Sequence, residues 1–213
     1  ETRDTKTGLV KVASVLPVGS VAADSRFRAH LKTDSRIDGN HRRVPIALQG
    51  DQVIPTLALE VLRVGYGVEN LELELKGESL WVKDLGELGE RRFPVDDLGH
   101  AMINFRTSRP PATRTFSLRD ILQATLDVGN EVSDVRLRNA FSNQLVLVAY
   151  TASALGDIGQ IPLSDYDVPL VMVHANALSN MLQDDFLNPV AISIRQVLVI
   201  VLCLGIALWV MWA

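Results

Sequence analysis

The stretch that most narrows what this chain can fold into is its end. From Val197 to Ala213 there is no Lys, Arg, Asp or Glu. As a helix this run spans about 25 Å, close to the roughly 30 Å of hydrocarbon in a bilayer, and uncharged Gln196 extends it. A helix on a soluble core buries one stripe, whereas this run is apolar on every side. Trp209 and Trp212 suit a membrane interface, and Arg195 marks the polar flank at the other end. The pattern predicts a transmembrane helix in contact with lipid along 196–213. It divides the chain into a folded domain, 1–188, and a membrane anchor, 189–213.

The charge of the chain is mixed in sign, with a net value of −4, and no long basic block offers a path for a phosphate backbone. Nucleic acid is therefore not an expected partner. The single cysteine, Cys203, lies inside the apolar run, so no disulfide can form within the chain. None of the histidines, His30, His41, His100 and His174, has a second His or Cys at metal-ligand spacing. Nucleophile-elbow, P-loop and dinucleotide-fingerprint glycine patterns are missing from the sequence. The expectation is a non-enzymatic protein without cofactor or metal.

Taken in order, Gly8 to Val18 reads as a strand closed by Pro17-Val18-Gly19, and Ser20 can cap a short polar helix to about Leu31. Asp38-Gly39 signals a tight turn, followed by a strand from about Arg43 to Leu48, with Arg42-Arg43 read as a solvated edge. Gln52 to Tyr66 reads as a helix with Pro55 near its first turn and an apolar face of Leu57, Val61 and Val64, supported by Leu59 and Leu62. Leu71, Leu73 and Leu75 alternate with charged residues as a strand with one wet face, and Gly77-Glu78 turns the chain into a partner at Leu80 to Leu85. Arg91 to Val95 and Ala101 to Phe105, joined by Asp96 to Gly99, suggest a second hairpin. Ser108 to Thr115 has the composition of a surface connection. Ser117 then looks like the N-cap of a helix to about Asp127, with Asp120 at N3 and Leu118, Ile121, Leu122 and Leu126 on one face. Val132 to Phe141 suggests a further short helix or turn.

Gln144 to Leu182 is the most informative stretch of the folded part. Leu145 to Tyr150 is an unbroken apolar run of strand length, and Thr151 to Pro169 is rich in turn formers. In His174 to Leu182 the apolar positions Ala177, Leu178, Met181 and Leu182 share one helical face. The unit reads strand, polar loop, strand, helix. If the strand end and the helix start are adjacent, Thr151, Ser153, Asp157, His174 and Asn176 meet at a sheet edge of the kind that binds ligands. The same residues also suit a purely structural role, capping turn and helix N–H groups.

This stretch resembles the CHASE2 domain family. Thr151, Ala152, Leu155, Gly156 and Asp157 match the family's T-A-x-x-L-G-D, and Pro169, Val171, His174, Ala175, Asn176 and Ala177 match its P-G-V-E-I-H-A-N-A helix start. Ala149, Leu170 and Met172 stand where that pattern has Gly, Gly and Glu. Asp38-Gly39, Arg42-Arg43-Val44-Pro45, the Pro55 to Arg63 segment and the Ser117 helix also agree. The resemblance covers roughly the C-terminal two-thirds of such a domain, so the opening α/β segment and the usual upstream transmembrane helix are expected to be missing. It implies an α/β fold, a mixed sheet with flanking helices plus the C-terminal transmembrane helix, outside the cytoplasm on the periplasmic side of a bacterial inner membrane.

Two functions suit these features. One is an accessory subunit that docks on other membrane proteins, for instance in a large photosynthetic or respiratory assembly. The other is the ligand-sensing input module of a receptor whose cyclase or kinase output is not in this chain. The altered positions 149, 170 and 172 put bulk where a ligand would approach backbone and remove a charge, which favours the subunit.

Overall fold

The computed structural model describes residues 29–35, 38–49, 53–106, 114–126, 139–149, 151, 157–188 and 192–212. The expected strand at Gly8 to Val18 and most of the helix after Ser20 lie outside them. The last residues of that helix do not belong to one: residues 29–33 are extended, and His30 makes a single parallel bridge to Thr56.

After the Asp38-Gly39 turn, where Gly39 sits at φ +75°, the strand expected over Arg43 to Leu48 is two strands. These are β1 (Arg43–Pro45) and β2 (Ala47–Gln49), parted at Ile46 because each pairs with a different neighbour. The neighbour of β2 is β3 (Val53–Pro55), antiparallel with Leu48 opposite Ile54. Pro55 therefore ends a strand instead of opening a helix. Helix α1 begins two residues later and spans Leu57–Gly65. Its buried face is Ala58, Leu59 and Leu62, while Val64 is exposed, so the inward stripe is rotated from the expected one.

The alternating segment forms β4 (Leu73–Lys76), which pairs with β5 (Ser79–Val82) across Gly77 at φ +59°. A single 3-10 turn, Gly86–Leu88, leads to β6 (Arg91–Pro94), the third strand of this antiparallel sheet. Strand β7 (His100–Met102) follows the expected turn at Asp96 to Gly99, yet it pairs with β1 and not with β6. The turn is held by Asp96, whose Oδ1 accepts the Leu98 and His100 N–H groups at 3.0 and 2.9 Å. Local turn chemistry was legible; the hairpin is not formed because the flanking strands leave in different sheets.

Helix α2 (Leu118–Leu126) starts as expected, with Ser117 Oγ accepting the Arg119 N–H at 3.2 Å. Leu118 and Leu122 on its apolar face are exposed. Residues 139–141 are helical, and Phe141 packs on Phe116 with ring centroids 5.1 Å apart. Leu145 to Ala149 is not a strand: it has no ladder partner among the described residues, and Val148 is 89 % exposed. Hydrophobicity argues for burial, but a strand also needs a neighbour to take its backbone hydrogen bonds. The polar loop contains a small hairpin of β8 (Ile158–Gly159) and β9 (Val168–Pro169), and helix α3 (Val171–Gln183) follows at once. Ala177, Leu178 and Met181 are buried as expected.

The architecture is thus one of helices and small antiparallel sheets, with parallel pairing only at single bridges among the described residues. α1 and α3 pack on each other, and the core between them and the sheets includes Leu59, Leu62, Leu80, Phe93, Val173 and Met181. In the last helix, α4 (Ile192–Trp212), residues Ile194–Trp212 contribute nothing to it. Residues Ile194–Trp212 are long and apolar enough to cross a membrane, with a mean hydropathy of 2.4 and no part buried.

Candidate functional site

The candidate site centres on the short run His30–Asp34. It lies across the start of α1 and across β1: His30 N–H donates to Pro55 O at 2.9 Å, Leu57 N–H to His30 O at 3.0 Å, and Asp34 N–H to Arg43 O at 2.9 Å. The chain has four histidines, and every one is placed on this run. His30 belongs to it. His41 Nδ1 is 2.7 Å from Thr33 Oγ1, His100 Nδ1 is 3.3 Å from Asp34 Oδ2, and His174 Nε2 is 3.2 Å from Leu31 O.

Each imidazole is placed by a different element. His174 faces inward from the first turn of α3 because Val173 and Ala177 bury the same side. A carbonyl only accepts, so His174 Nε2 carries the proton that meets Leu31 O. Its Nδ1 faces Thr56 Oγ1 at 3.5 Å. Thr56 is the N-cap residue of α1, but its side chain caps nothing. Burial lowers the His174 pKa, opposed by the Leu31 carbonyl and the Asp157 carboxylate. His30 Nδ1 accepts the Lys32 N–H at 3.2 Å, and its buried Nε2 has no partner among the described residues. Burial first, then the positive charge that His174, Lys32 and His100 carry when protonated, pushes the His30 pKa down to about 3, against the pull of the Pro45 backbone. Burial also lowers that of His41, against the pull of Asp34.

His41 has a second contact that fixes the loop before α3. Its N–H donates to Gln160 O at 2.8 Å, and its ring lies over Gly159. A β-carbon at Gly159 would sit 2.6 Å from His41 Nε2 and 2.9 Å from Leu170 Cδ2, so only glycine lets the ring approach. Gly159→Ala is expected to lower stability by about 1–3 kcal/mol, the usual cost of overpacking. Thermal unfolding should show most of that loss recovered in the Gly159→Ala, His41→Ala double variant relative to the sum of the single ones.

The residues expected to form a binding site are placed unevenly. His174 and Asn176 are buried, and Asn176 Nδ2 donates to Met172 O at 2.8 Å. Thr151 and Asp157 are exposed, and the Asp157 carbonyl accepts the Leu170 N–H at 3.0 Å. Ser153 lies outside the described residues. Asp157 is thus tied to the segment that opens α3, whereas the polar groups of His174 and Asn176 are engaged inside the domain. The residues expected at a membrane interface, Arg195, Trp209 and Trp212, are exposed along α4. Sequence reasoning passed over His30, His100 and Thr56 as site residues. Histidine spacing carries no signal for them, since they converge through contacts far apart in the chain.

The other end of α3 is clamped. Asp184 closes the helix in a left-handed conformation, φ 54°, and the buried Asn180 side chain ties the next residues to the chain after β7. Asn180 Oδ1 accepts the Asn104 N–H at 2.9 Å, and its Nδ2 donates to Asp185 Oδ1 at 2.8 Å and to Asn104 O at 3.3 Å. Arg106 pairs with Asp185, and Leu187 N–H donates to Met102 O at 3.0 Å. Helix α3 therefore joins the histidine crossing to a clamp at residues 184–187, and the next described element is α4.

Comparison with known proteins gives one family. The model described as CHASE2 domain matches residues 7–212, from before the histidine crossing to the end of α4. No curated protein and no solved structure matches the chain.

Proposed function

The chain belongs to the CHASE2 family of extracytoplasmic sensory domains, and from that premise we propose that it is the input module of a membrane receptor. In this reading α4 crosses the inner membrane of a bacterium, and the folded part stands on the periplasmic side. It has no catalytic role of its own. A small molecule would be read at the exposed residues Thr151 and Asp157, together with Ser153 of the same sequence motif, and felt at His174 and Asn176 in the first turns of α3. The observation that carries the reading is the course of α3, which runs from His174 to the Asn180–Asp185 clamp just before the membrane helix. A rigid helix held at both ends transmits a shift along its length.

A cyclase reporter fused after Ala213 tests this. Asp185→Ala removes the acceptor shared by Asn104, Asn180 and Arg106, and should change basal output severalfold at an unchanged membrane level. Output equal to that of the parent fusion would leave α3 without a transmitting role. Membrane insertion is checked separately. Leu202→Arg puts a charge near the middle of the span, at a cost of about 2.5–3.5 kcal/mol. The parent chain should stay in the carbonate-washed membrane pellet, and the variant should be largely released.

An accessory subunit is the second reading. It is favoured by exposed apolar side chains outside α4, namely Phe116, Leu118 and Leu122 at the second helix and Leu145, Val146 and Val148 beyond it. Purification in mild detergent should then recover stoichiometric membrane-protein partners, and a lone chain would count against it.

A further inference from the structure

The crossing has a property that the ligand reading does not require. We propose that acidification below about pH 6 releases the run His30–Asp34 from the rest of the domain, so that this crossing is a pH-sensitive strap. The proposal rests on how the four imidazoles are wired and holds whether or not the domain signals.

His30 decides it. In neutral imidazole one ring nitrogen carries the proton and the other holds the lone pair. His30 Nδ1 accepts the Lys32 N–H, so Nε2 carries the proton; that N–H is buried and makes no well-formed hydrogen bond among the described residues, the Pro45 backbone being the one neighbour that favours charge on the ring. A second proton can enter only at Nδ1. There it would break the bond to Lys32 and set donor against donor, while the Pro45 backbone offsets only part of the cost of burying the charge. The docked strap therefore excludes the imidazolium, and the released strap, open to water, accepts it.

The surrounding groups do not all pull one way. On α3, His174 donates to Leu31 O and faces Thr56, with Asp157 drawing it toward the charged form. On β7, His100 meets Asp34, and protonation there turns the contact into an ion pair that holds the strap. His41 binds Thr33 with Asp34 nearby, and β1 contributes Arg43, itself paired with Asp96 at 2.8 Å. Lys32 and the protonated forms of His174 and His100 all disfavour a charge on His30. Thus the Asp34 pair opposes release, but charging its histidine makes the exclusion at His30 stronger. Because His30, His41 and His174 all titrate below a free histidine, the docked state binds fewer protons than the released one, and acid favours release.

Hydrogen exchange of the full chain in lipid nanodiscs, corrected for the intrinsic pH dependence of exchange, reads the strap directly. A histidine of ordinary pKa near 6.5 that is held near 3 when docked raises the opening equilibrium about 30-fold between pH 7.5 and pH 5.0. Peptides covering His30–Asp34 should lose protection by that factor, while those covering the Ser79–Val82 strand keep theirs. His30→Asn offers an amide oxygen where Nδ1 stands and cannot titrate, so the acid response should fall to a few-fold. A change below threefold in the parent chain overturns the proposal. So does parallel loss in Ser79–Val82, which means global unfolding, or an undiminished response in His30→Asn. If that variant does not fold, the comparison of strap and sheet in the parent chain still decides.

Discussion

Glu60→Ala is expected to destabilise the domain by about 3–5 kcal/mol, because it removes one partner of a buried, bidentate ion pair. Arg63 and Glu60 lie one turn apart on α1 with side chains 9 % and 10 % exposed. Their pairing is bidentate: Nε to Oε2 at 2.8 Å and Nη2 to Oε1 at 2.7 Å. The remaining nitrogen, Nη1, donates to Val68 O at 2.6 Å and Glu69 O at 3.0 Å, so the same guanidinium ties the loop after α1 to the helix. The carboxylate holds the Arg63 pKa above its ordinary value. The arginine of the variant therefore stays charged, keeps its loop contacts and loses the two charge-assisted hydrogen bonds to the Glu60 carboxylate. For a chain of this size the loss amounts to a fall of about 6–20 °C in the unfolding midpoint. Near-UV circular dichroism in detergent measures it, and a midpoint within 2 °C of the parent would show the pair to be solvated. Arg63→Met added to Glu60→Ala removes the charge that Glu60 balanced and should recover part of the loss, but not all, since the Val68 and Glu69 carbonyls then lose a donor.

This contrast also explains which parts of the fold were legible in the sequence. Periodicity reports which face of an element is buried, so the alternating Leu73 to Lys76 strand, its Gly77 turn and the helix carrying Ala177, Leu178 and Met181 were readable from spacing alone. It does not report what lies opposite. Arg91–Pro94 and His100–Met102 looked like a hairpin because a turn joins them, yet β5 and β1 supply their partners. Leu145 to Ala149 looked like a core strand because it is apolar, but no ladder receives it among the described residues. Pro55 matched a helix start and ended a strand, since its position also suits the last residue of an edge pair. The candidate site divides along the same line. His174 and Asn176 stood out through the motif they share with the family, whereas His30 and Thr56 acquire their meaning only when the chain folds. Leu31 and His174 are separated by 143 residues, and no local pattern encodes such a contact.

The clamp below α3 carries the second large expectation. Asn180→Leu fits the helix and the apolar surroundings of Met181, so its effect isolates the lost hydrogen bonds. The Asn104 N–H loses its acceptor, and Asn104 O and Asp185 Oδ1 each lose a donor. A buried polar group left unpaired costs about 1–3 kcal/mol. Asp185 is partly compensated by Asn104 Nδ2 and Arg106, and so the sum should come to about 2–4 kcal/mol. The structural consequence is more local than the energy suggests. The left-handed cap at Asp184 and the bridge from Leu187 to Met102 both depend on the course that Asn180 imposes on residues 184–187. Hydrogen exchange should therefore rise first at Leu187, whose N–H donates to Met102 O, while Leu80 in the central strand keeps its protection. In the reporter fusion, Asn180→Leu should shift output in the same direction as Asp185→Ala. Opposite shifts from two variants that open one clamp would mean that the output follows something other than the freedom of the segment leading into α4.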